Sequence, residues 1–285
     1  MAAQPLAATR GLSRRWLIAP VAAYLLVFFF LPLGRLVYQS VVDPGLTTRH
    51  YAHLFESDLY IRVVANTAKI AGLVTAATLT LGYPLAYWMG TLGPRAQRAV
   101  MFAVTVPFWT SILVRSYAWL VLLQREGVVN KSLLALGLID EPLELVYNLF
   151  GAVCGITYML LPLMVLSLRQ SMAAIDRRLP VVALTLGASP GQAFRRVFFP
   201  LSLPGVSAGS TLVFVLSFGY FITPALLGGR RETMIAMLID IQMNQLFDWG
   251  FGTALSVLLM VVVALVLLGV DRACGIRRHL EGTAR

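Results

Sequence analysis

Apolar residues run along this chain in long blocks, and the polar residues gather in short stretches between them. Six blocks are long enough, at about 20 residues each, to cross roughly 30 Å of hydrocarbon. They lie at approximately Trp16–Val37, Val63–Gly90, Ala99–Leu123, Leu149–Leu168, Gly205–Gly228 and Phe251–Val270. The pattern predicts an all-α, polytopic membrane protein with six transmembrane helices, forming one domain over residues 16–270. Residues 1–15 precede that domain and a basic tail, 271–285, follows it. Arg10, Arg14 and Arg15 stand before the first block as they would in a secretory signal. The block is too long for one, and no small-x-small cleavage site follows Leu36, so a retained span is expected. Pro84, Pro107, Pro162 and Pro224 fall inside blocks and mark deformable helices without identifying a site.

Composition agrees with the pattern. Hydrophobic residues make up 58% of the chain and charged residues only 13%, against about half and a quarter in soluble domains, so lipid is the main solvent. An even number of spans puts both termini on one side. The segments on that side (the N-terminus, 91–98, 169–204 and 271–285) hold fourteen Lys and Arg, and the opposite loops hold six. The acids lean the other way: Asp176, Asp271 and Glu281 on the first side, ten on the other. The positive-inside rule therefore places both termini in the cytoplasm. It also reads the net charge of +10 as orientation signal and lipid contact, with no nucleic-acid partner. Cys154 sits in an apolar run and Cys274 in the basic end, which supports neither a disulfide nor a thiolate site. His50 and His53 can meet on one helical turn, but without a third ligand no metal is expected. No phosphate-cradling GxxxxGK[ST] and no HExxH occurs, so no catalytic site is expected.

The most informative polar stretch is the cytoplasmic loop 172–204. Asp176 can start a helix over Pro180–Leu186, and Gly187 is a helix stop because glycine tolerates the left-handed backbone. Ser189-Pro190-Gly191-Gln192 then spells a second start, with a capping serine, a first-turn proline and a glutamine three residues on. Phe194, Val197, Phe198 and Leu201 share one face of that second helix; Gln192, Arg195 and Arg196 share the other. Pro200 and Pro204 are expected to end it before the fifth span. Such a projection can lie on anionic headgroups or dock into a soluble partner. The break at Gly187 and the doubled caps favour docking, since adsorption to lipid requires neither.

The spacing Ala183, Gly187, Ala188, then Pro200 to Pro204, resembles the cytoplasmic EAA signature of ABC-importer permeases, with LGASPGQAFRRVFFPLSLPG as its specific second half. Val181 and Val182 stand where the signature has Glu and its first Ala. The runs PFWTSILVRSYAWLVLL (107–123), LALGLIDEPLELVYN (134–148), ITYMLLPLMVLSL (156–168) and DWGFGTALSVLLM (248–260) are similar to polyamine-type permeases, the spermidine and putrescine importer class. The resemblance implies the type I importer permease fold, with the loop as the element that meets the ATPase. Ala183, Gly187, Ala188, Ser189, Pro190, Phe194, Arg195, Arg196, Pro200 and Pro204 are its candidate coupling residues. It further implies a second permease subunit that is a different chain, two ATP-binding cassette subunits holding the ATP and Mg, and a periplasmic solute-binding protein; this chain itself binds no cofactor. Permeases for ferric iron, thiamine, opines and other small cations or amines share much of the pattern.

Several residues in and beside the spans are candidates for a solute path. Arg115 lies about 12 Å from the outer end of span three at 1.5 Å per residue. At that depth an ionisable group either faces a cavity or snorkels to the outer headgroups. Trp109, Tyr117, Tyr158, Tyr220 and Phe221 offer aromatic faces to an ammonium-bearing solute; an aromatic belt explains such residues equally and accounts for Trp119. Lys69 reads as a snorkelling anchor. Thr233–Asn244 reads as a short amphipathic outer helix bordering the exit of a binding protein, with Asp240, which interrupts its apolar run, as a further path candidate. Asp140, Glu141 and Glu144 can meet a cationic solute, a basic patch on the binding protein, or water alone. A self-sufficient secondary carrier would need ion-coupling acids, and Asp and Glu are absent from all six span cores. An intramembrane enzyme would need an embedded acid pair, Ser/His pair or metal set, and none is present.

Overall fold

The computed structural model describes residues 19–42, 45–176 and 178–274. The segments 1–15 and 275–285, with the leading arginines and His279, lie outside them. Twelve helices make up the described fold. In chain order they are α1 (Ala19–Val41), α2 (Arg49–Glu56), α3 (Asp58–Met89), α4 (Pro94–Thr105), α5 (Ile112–Leu123), α6 (Val128–Ala135), α7 (Leu149–Ala173), α8 (Arg178–Thr185), α9 (Pro190–Phe218), α10 (Ile222–Leu227), α11 (Ile235–Asp240) and α12 (Trp249–Cys274). Five of them are long and apolar enough to span a bilayer, namely α1, α3, α7, α9 and α12. The bent run from Pro94 to Ala135 makes a sixth when its two halves are counted as one broken span.

Helix α7 is the axis, with more than half of its span covered by other helices. It opens on Asn148, whose side-chain oxygen accepts the Gly151 N–H at 2.9 Å. Ile156, Leu160, Met164, Leu168 and Met172 form its side of the core, against Ile70, Val74 and Ala86 of α3, Val213 of α9, and Met234. The contact with α9 is close because α9 turns glycines toward it: a Cβ on Gly209 would lie 2.8 Å from Met164 Sδ and 3.2 Å from Ser167 Cβ. One turn earlier, the Ser167 hydroxyl donates to the Gly205 carbonyl at 3.4 Å. Small residues four apart are what permit two helices to approach this way in lipid.

Helix α3 buries a stripe at helical spacing, Val63, Thr67, Ile70, Val74, Thr78, Gly82, Ala86 and Met89. The hydroxyls of Thr67, Thr75 and Thr78 donate to carbonyls one turn back, those of Val63, Ala71 and Val74, at 2.7–2.9 Å. No polar side chain of the stripe is thereby left without a partner. At the end of the bundle away from α8, Asn66 donates to the carbonyls of Arg231 and Thr233, both at 3.1 Å, and Thr67 accepts the Ile235 N–H at 2.9 Å. These bonds pin α11, the amphipathic helix expected over Thr233–Asn244, across the end of α3. Helix α1 lies at the edge of the bundle and rests on α12.

The first span runs on to Val41, the second begins at Asp58 and the sixth covers Trp249–Cys274, and the other three also depart from the sequence expectation. The third is not one helix over Ala99–Leu123: the chain tightens to a 3₁₀ turn at Val106–Trp109, breaks at Thr110–Ser111 and restarts, bent by 102°. Pro107 supplies no N–H at that point, and the turn closes through Thr110 N–H to the Pro107 carbonyl at 3.1 Å. The fourth continues past Leu168 to Ala173. The fifth does not start after Pro204. It begins at Pro190, passes Pro200 and Pro204, and stops at Phe218, ten residues short of Gly228. A π turn at Phe194–Phe198 directly before Pro200 loosens the helix where the proline N–H groups are missing, so the prolines do not end it.

Replacing Gly209 by valine is expected to destabilise the fold by roughly 1–3 kcal/mol, because the new side chain must displace Met164 or Ser167. Thermal unfolding of the detergent-solubilised chain measures this; an unshifted transition would show that α7 and α9 separate at little cost.

Candidate coupling surface and translocation path

The loop between α7 and α9 is a built element. The Asp176 carboxylate accepts the Arg178 N–H at 2.9 Å and starts α8. At the other end Ala188 N–H reaches the Ala183 carbonyl and Gly187 N–H the Leu184 carbonyl, each at 3.0 Å, with Gly187 at φ +89°. That is the two-bond glycine stop of a helix C-terminus. Two residues on, Gln192 N–H donates to Ser189 Oγ at 3.3 Å and Ser189 N–H to Gln192 Oε1 at 3.0 Å, with Pro190 in the first turn. Ala183, Gly187, Ala188, Ser189 and Pro190 thus set one rigid corner between α8 and α9.

The two faces of this corner have distinct surroundings. Phe194 packs edge-on against Tyr87 with centroids 5.3 Å apart, and Phe198 does so at 5.1 Å. Phe194 and Phe198 stack on each other at 5.9 Å, and Tyr83 OH meets Ser202 Oγ at 2.9 Å. The apolar face expected to meet a partner or lipid therefore turns inward and fastens α9 to α3. Leu201 does not join it. The π turn adds one residue to the repeat, so Ser202 is buried in its place and Leu201 is exposed. What faces outward is the apolar surface of α8 and its end: Leu179, Val181 (56% exposed), Val182 and Leu186 (83%). Beside it Arg195 and Arg196, also exposed, line a shallow recess with Ser189 and Gln192. Pro200 and Pro204 lie inside α9, one and two turns beyond.

The candidate path residues separate into two sets. Arg115 lies on α5 with its Nε buried and without a hydrogen-bond partner among the described residues, close enough to Tyr220 for its charge to act on the phenol. The adjacent Ser116, fully buried, shares a 3.1 Å hydrogen bond with Thr223 of α10. One turn along α5, Trp119 meets Tyr158 of α7 edge-on at 5.5 Å. Arg115, Tyr158 and Tyr220 are thus arranged about the contacts of α5 with α7 and α10, beside the breaks at 110–111 and 219–221. Trp109 (77% exposed), Tyr117 (54%) and Phe221 form no part of this cluster and project from the chain. Asp240 is not with them: it sits on α11 and accepts the Asn244 side-chain amide at 2.7 Å. Lys69 is exposed on α3.

One charged residue at the α8 end of the bundle is missed by the sequence reading. Arg169 is only 8% exposed, at the end of α7 against Gly90. It was counted as a loop residue because the apolar window stops at Leu168. Its helical phase was the available signal, since it lies one turn after Val165 on the buried side. Asn130 is a second omission. Fully buried, it donates to the carbonyls of Gln124 and Leu143 and accepts the Leu143 N–H, which closes the loop after α6.

In this helical bundle, with its broken third span and a double-capped corner that continues into the fifth, residues 82–273 match the family described as binding-protein-dependent transport system inner membrane component. The chain belongs to that family and is a permease subunit of an ABC importer, not an enzyme. Among curated relatives it is 34% identical to the spermidine/putrescine transport system permease protein PotB of Escherichia coli K12, over 90% of this chain and 96% of that one. The molybdenum transport system permease protein ModB of Mycobacterium bovis is 33% identical over 72% and 78%. Its fold is that of a solved bacterial alginate ABC transporter in complex with an alginate-bound periplasmic protein, at TM-score 0.72 and 20% identity over 90% of this chain and 92% of that one. The MetNI methionine ABC transporter shares it at TM-score 0.58 and 18% identity, over 75% of this chain and 93% of that one. These are type I importer folds, as the sequence resemblance implied.

Phe194→Ala is expected to loosen the corner without unfolding the bundle. Removing a half-buried ring costs about 2–3 kcal/mol, below the usual figure for a fully buried phenylalanine. Hydrogen exchange over residues 178–199 should rise while residues 149–168 stay protected; equal protection in both segments would show that the aromatic contacts with Tyr83 and Tyr87 hold nothing.

Proposed function

We propose that this permease imports a small polyamine-like cation delivered by a periplasmic binding protein. In this reading it pairs with a second, different permease chain and couples through residues 176–204 to two ATPase subunits that hold the ATP and Mg. The termini and the loop face the cytoplasm, in keeping with the excess of Lys and Arg on that side. The observation that carries the reading is the rigid corner at Ala183–Gln192, with an exposed apolar outer surface and an inner surface fastened to α3. A soluble patch of this kind has a binding function more often than none, and its attachment to two spans gives a docked partner leverage on the bundle. The polyamine assignment draws on the likeness to PotB over most of both chains. The aromatic rings of Tyr158 and Tyr220, which fall in the cluster at the break of the third span, suit an ammonium through cation–π attraction.

A second solute class is favoured by Arg115. A cation beside the breaks of spans three and five repels a polycation and attracts an anion, and ModB, a molybdenum transport permease by name, is nearly as similar where it aligns.

Co-purification from native membranes followed by reconstitution decides between them. An ATPase and a second six-span permease are expected to accompany the chain. ATP hydrolysis in nanodiscs should rise with binding protein loaded with spermidine or putrescine; stimulation by an anionic solute alone would replace the polyamine reading. Gly187→Pro should abolish the stimulation while membrane insertion is unchanged, because proline fixes φ near −65° and removes the N–H bonded to Leu184. Full stimulation in an inserted Gly187→Pro chain would remove the coupling role.

A further inference from the structure

Beyond its break, the third span leaves one strip of α5 uncovered. Ser111, Ala118 and Leu122 are exposed along it at helical spacing about Arg115, which is half-buried at its border. We propose that this strip seats the second permease subunit, and that Arg115 pairs there with a carboxylate on one of that subunit's spans, a pairing that excludes a second copy of this chain. The seat presupposes the heteromeric pairing proposed above and adds which surface and which charge carry it.

Arg115 is a charge without a counter-charge. Its guanidinium makes no hydrogen bond or ion pair among the described residues, and its Nε is buried. At about 12 Å from the outer end of the span, such a group is costly unless a partner or a cavity receives it. Snorkelling to the headgroups does not answer, because protein atoms cover Nε and the charge lies close to Tyr220. A second observation comes from the backbone. Helix α5 starts at Ile112, near the middle of the apolar block 99–123, and Ser111 gives it no side-chain cap. Its first-turn N–H groups have no acceptor on their own helix, and hydrocarbon supplies none. The guanidinium and the helix start thus call for oxygen at one depth, and a neighbouring protein with acidic and carbonyl oxygens there meets both.

Charge decides which neighbour fits. Asp and Glu are absent from the apolar span cores of this chain, so a second copy would bring another guanidinium to the seat and no carboxylate. Like charges at a desolvated contact oppose association, and unlike charges there select one partner over another. A chain with an acid at that depth is accepted, and a copy of this one is rejected. Ser111 and Ala118 are small, which lets a facing helix come close on either side of Arg115. A carboxylate there also cancels the positive charge that would otherwise oppose a polycation beside Tyr220.

The test uses the complex in its native membranes, with a benzophenone amino acid placed at Ala118 and cross-linked by light before solubilisation and purification. Mass spectrometry should find the second six-span permease attached, at a segment with Asp or Glu within one turn of the cross-link. Arg115→Gln should lower the amount of second permease retained in detergent about tenfold or more, the loss of a buried charge pair. Arg115→Lys should keep part of it. Arg115→Glu combined with replacement of the mapped acid by arginine should restore the retention that each single change loses. With the second permease present in the purified complex, attachment to lipid alone, to a second copy of this chain or to nothing overturns the proposal, whatever the Arg115 variants do. Full retention in Arg115→Gln, or a cross-linked segment without an acid, overturns it equally. If no second permease accompanies the unaltered chain, the heteromeric pairing itself fails, and the seat falls with it.

Discussion

Apolar side chains in hydrocarbon gain nothing by leaving lipid for one another, so two helices stay together only where their surfaces fit closely enough to win on van der Waals contact. In this chain that fit is the seam between α7 and α9, made by Gly205 and Gly209 against Met164, Ser167 and Ser171. The rest of the bundle is arranged around it. Helix α3 adds its buried stripe to the groove the pair creates, and α10 and α12 pack on the flanks. Because α9 is the same helix that begins at the α8–α9 corner, the seam that holds the core also fixes the direction in which the corner points.

A second constraint places the irregular segments. Backbone N–H and C=O groups at membrane depth must find partners, so a helix breaks only where protein or a water-filled space can satisfy what is exposed. The breaks at Thr110–Ser111 and Gly219–Phe221 lie on either side of the Ser116–Thr223 hydrogen bond, with Arg115 and Tyr220 adjacent. Two broken spans, a polar side-chain pair and a buried guanidinium nitrogen in one neighbourhood mark the part of the chain least suited to face lipid. The unbroken faces of α1 and α12 mark the part best suited to it.

How much of this was legible from sequence follows from which signals are local. Hydrophobic blocks of span length gave six crossings, because lipid imposes that length directly, and the caps at Gly187 and Ser189–Gln192 were readable because they rest on bonds between near neighbours. Two kinds of feature were not. The bend of the third span lies at Pro107–Ser111, and a proline inside an apolar block does not by itself tell a mild kink from a full break. The single-residue slip that buries Ser202 and exposes Leu201 comes from a π turn, and a period of 3.6 applied to Phe194–Leu201 cannot show it. Arg169 was lost for a related reason: an apolar window ends at the first charge, whereas the helix continues as long as its backbone bonds and its buried phase allow. Of the path candidates, Arg115, Tyr158 and Tyr220 come into one region, and Asp240 goes to another, because sequence spacing says little about which broken helix lies beside which.

The continuity of α9 from Pro190 to Phe218 has a mechanical meaning. Twenty-nine residues make a rod about 43 Å long, and its compliant points, the π turn and the two prolines, all fall within its first half. Past Gly205 the rod is clamped in the α7 seam. A push at the corner therefore meets a soft section first and a stiff one after it: small displacements are absorbed near Phe198, and only those large enough to exhaust that slack tilt the section ending at Phe218, beside Tyr220.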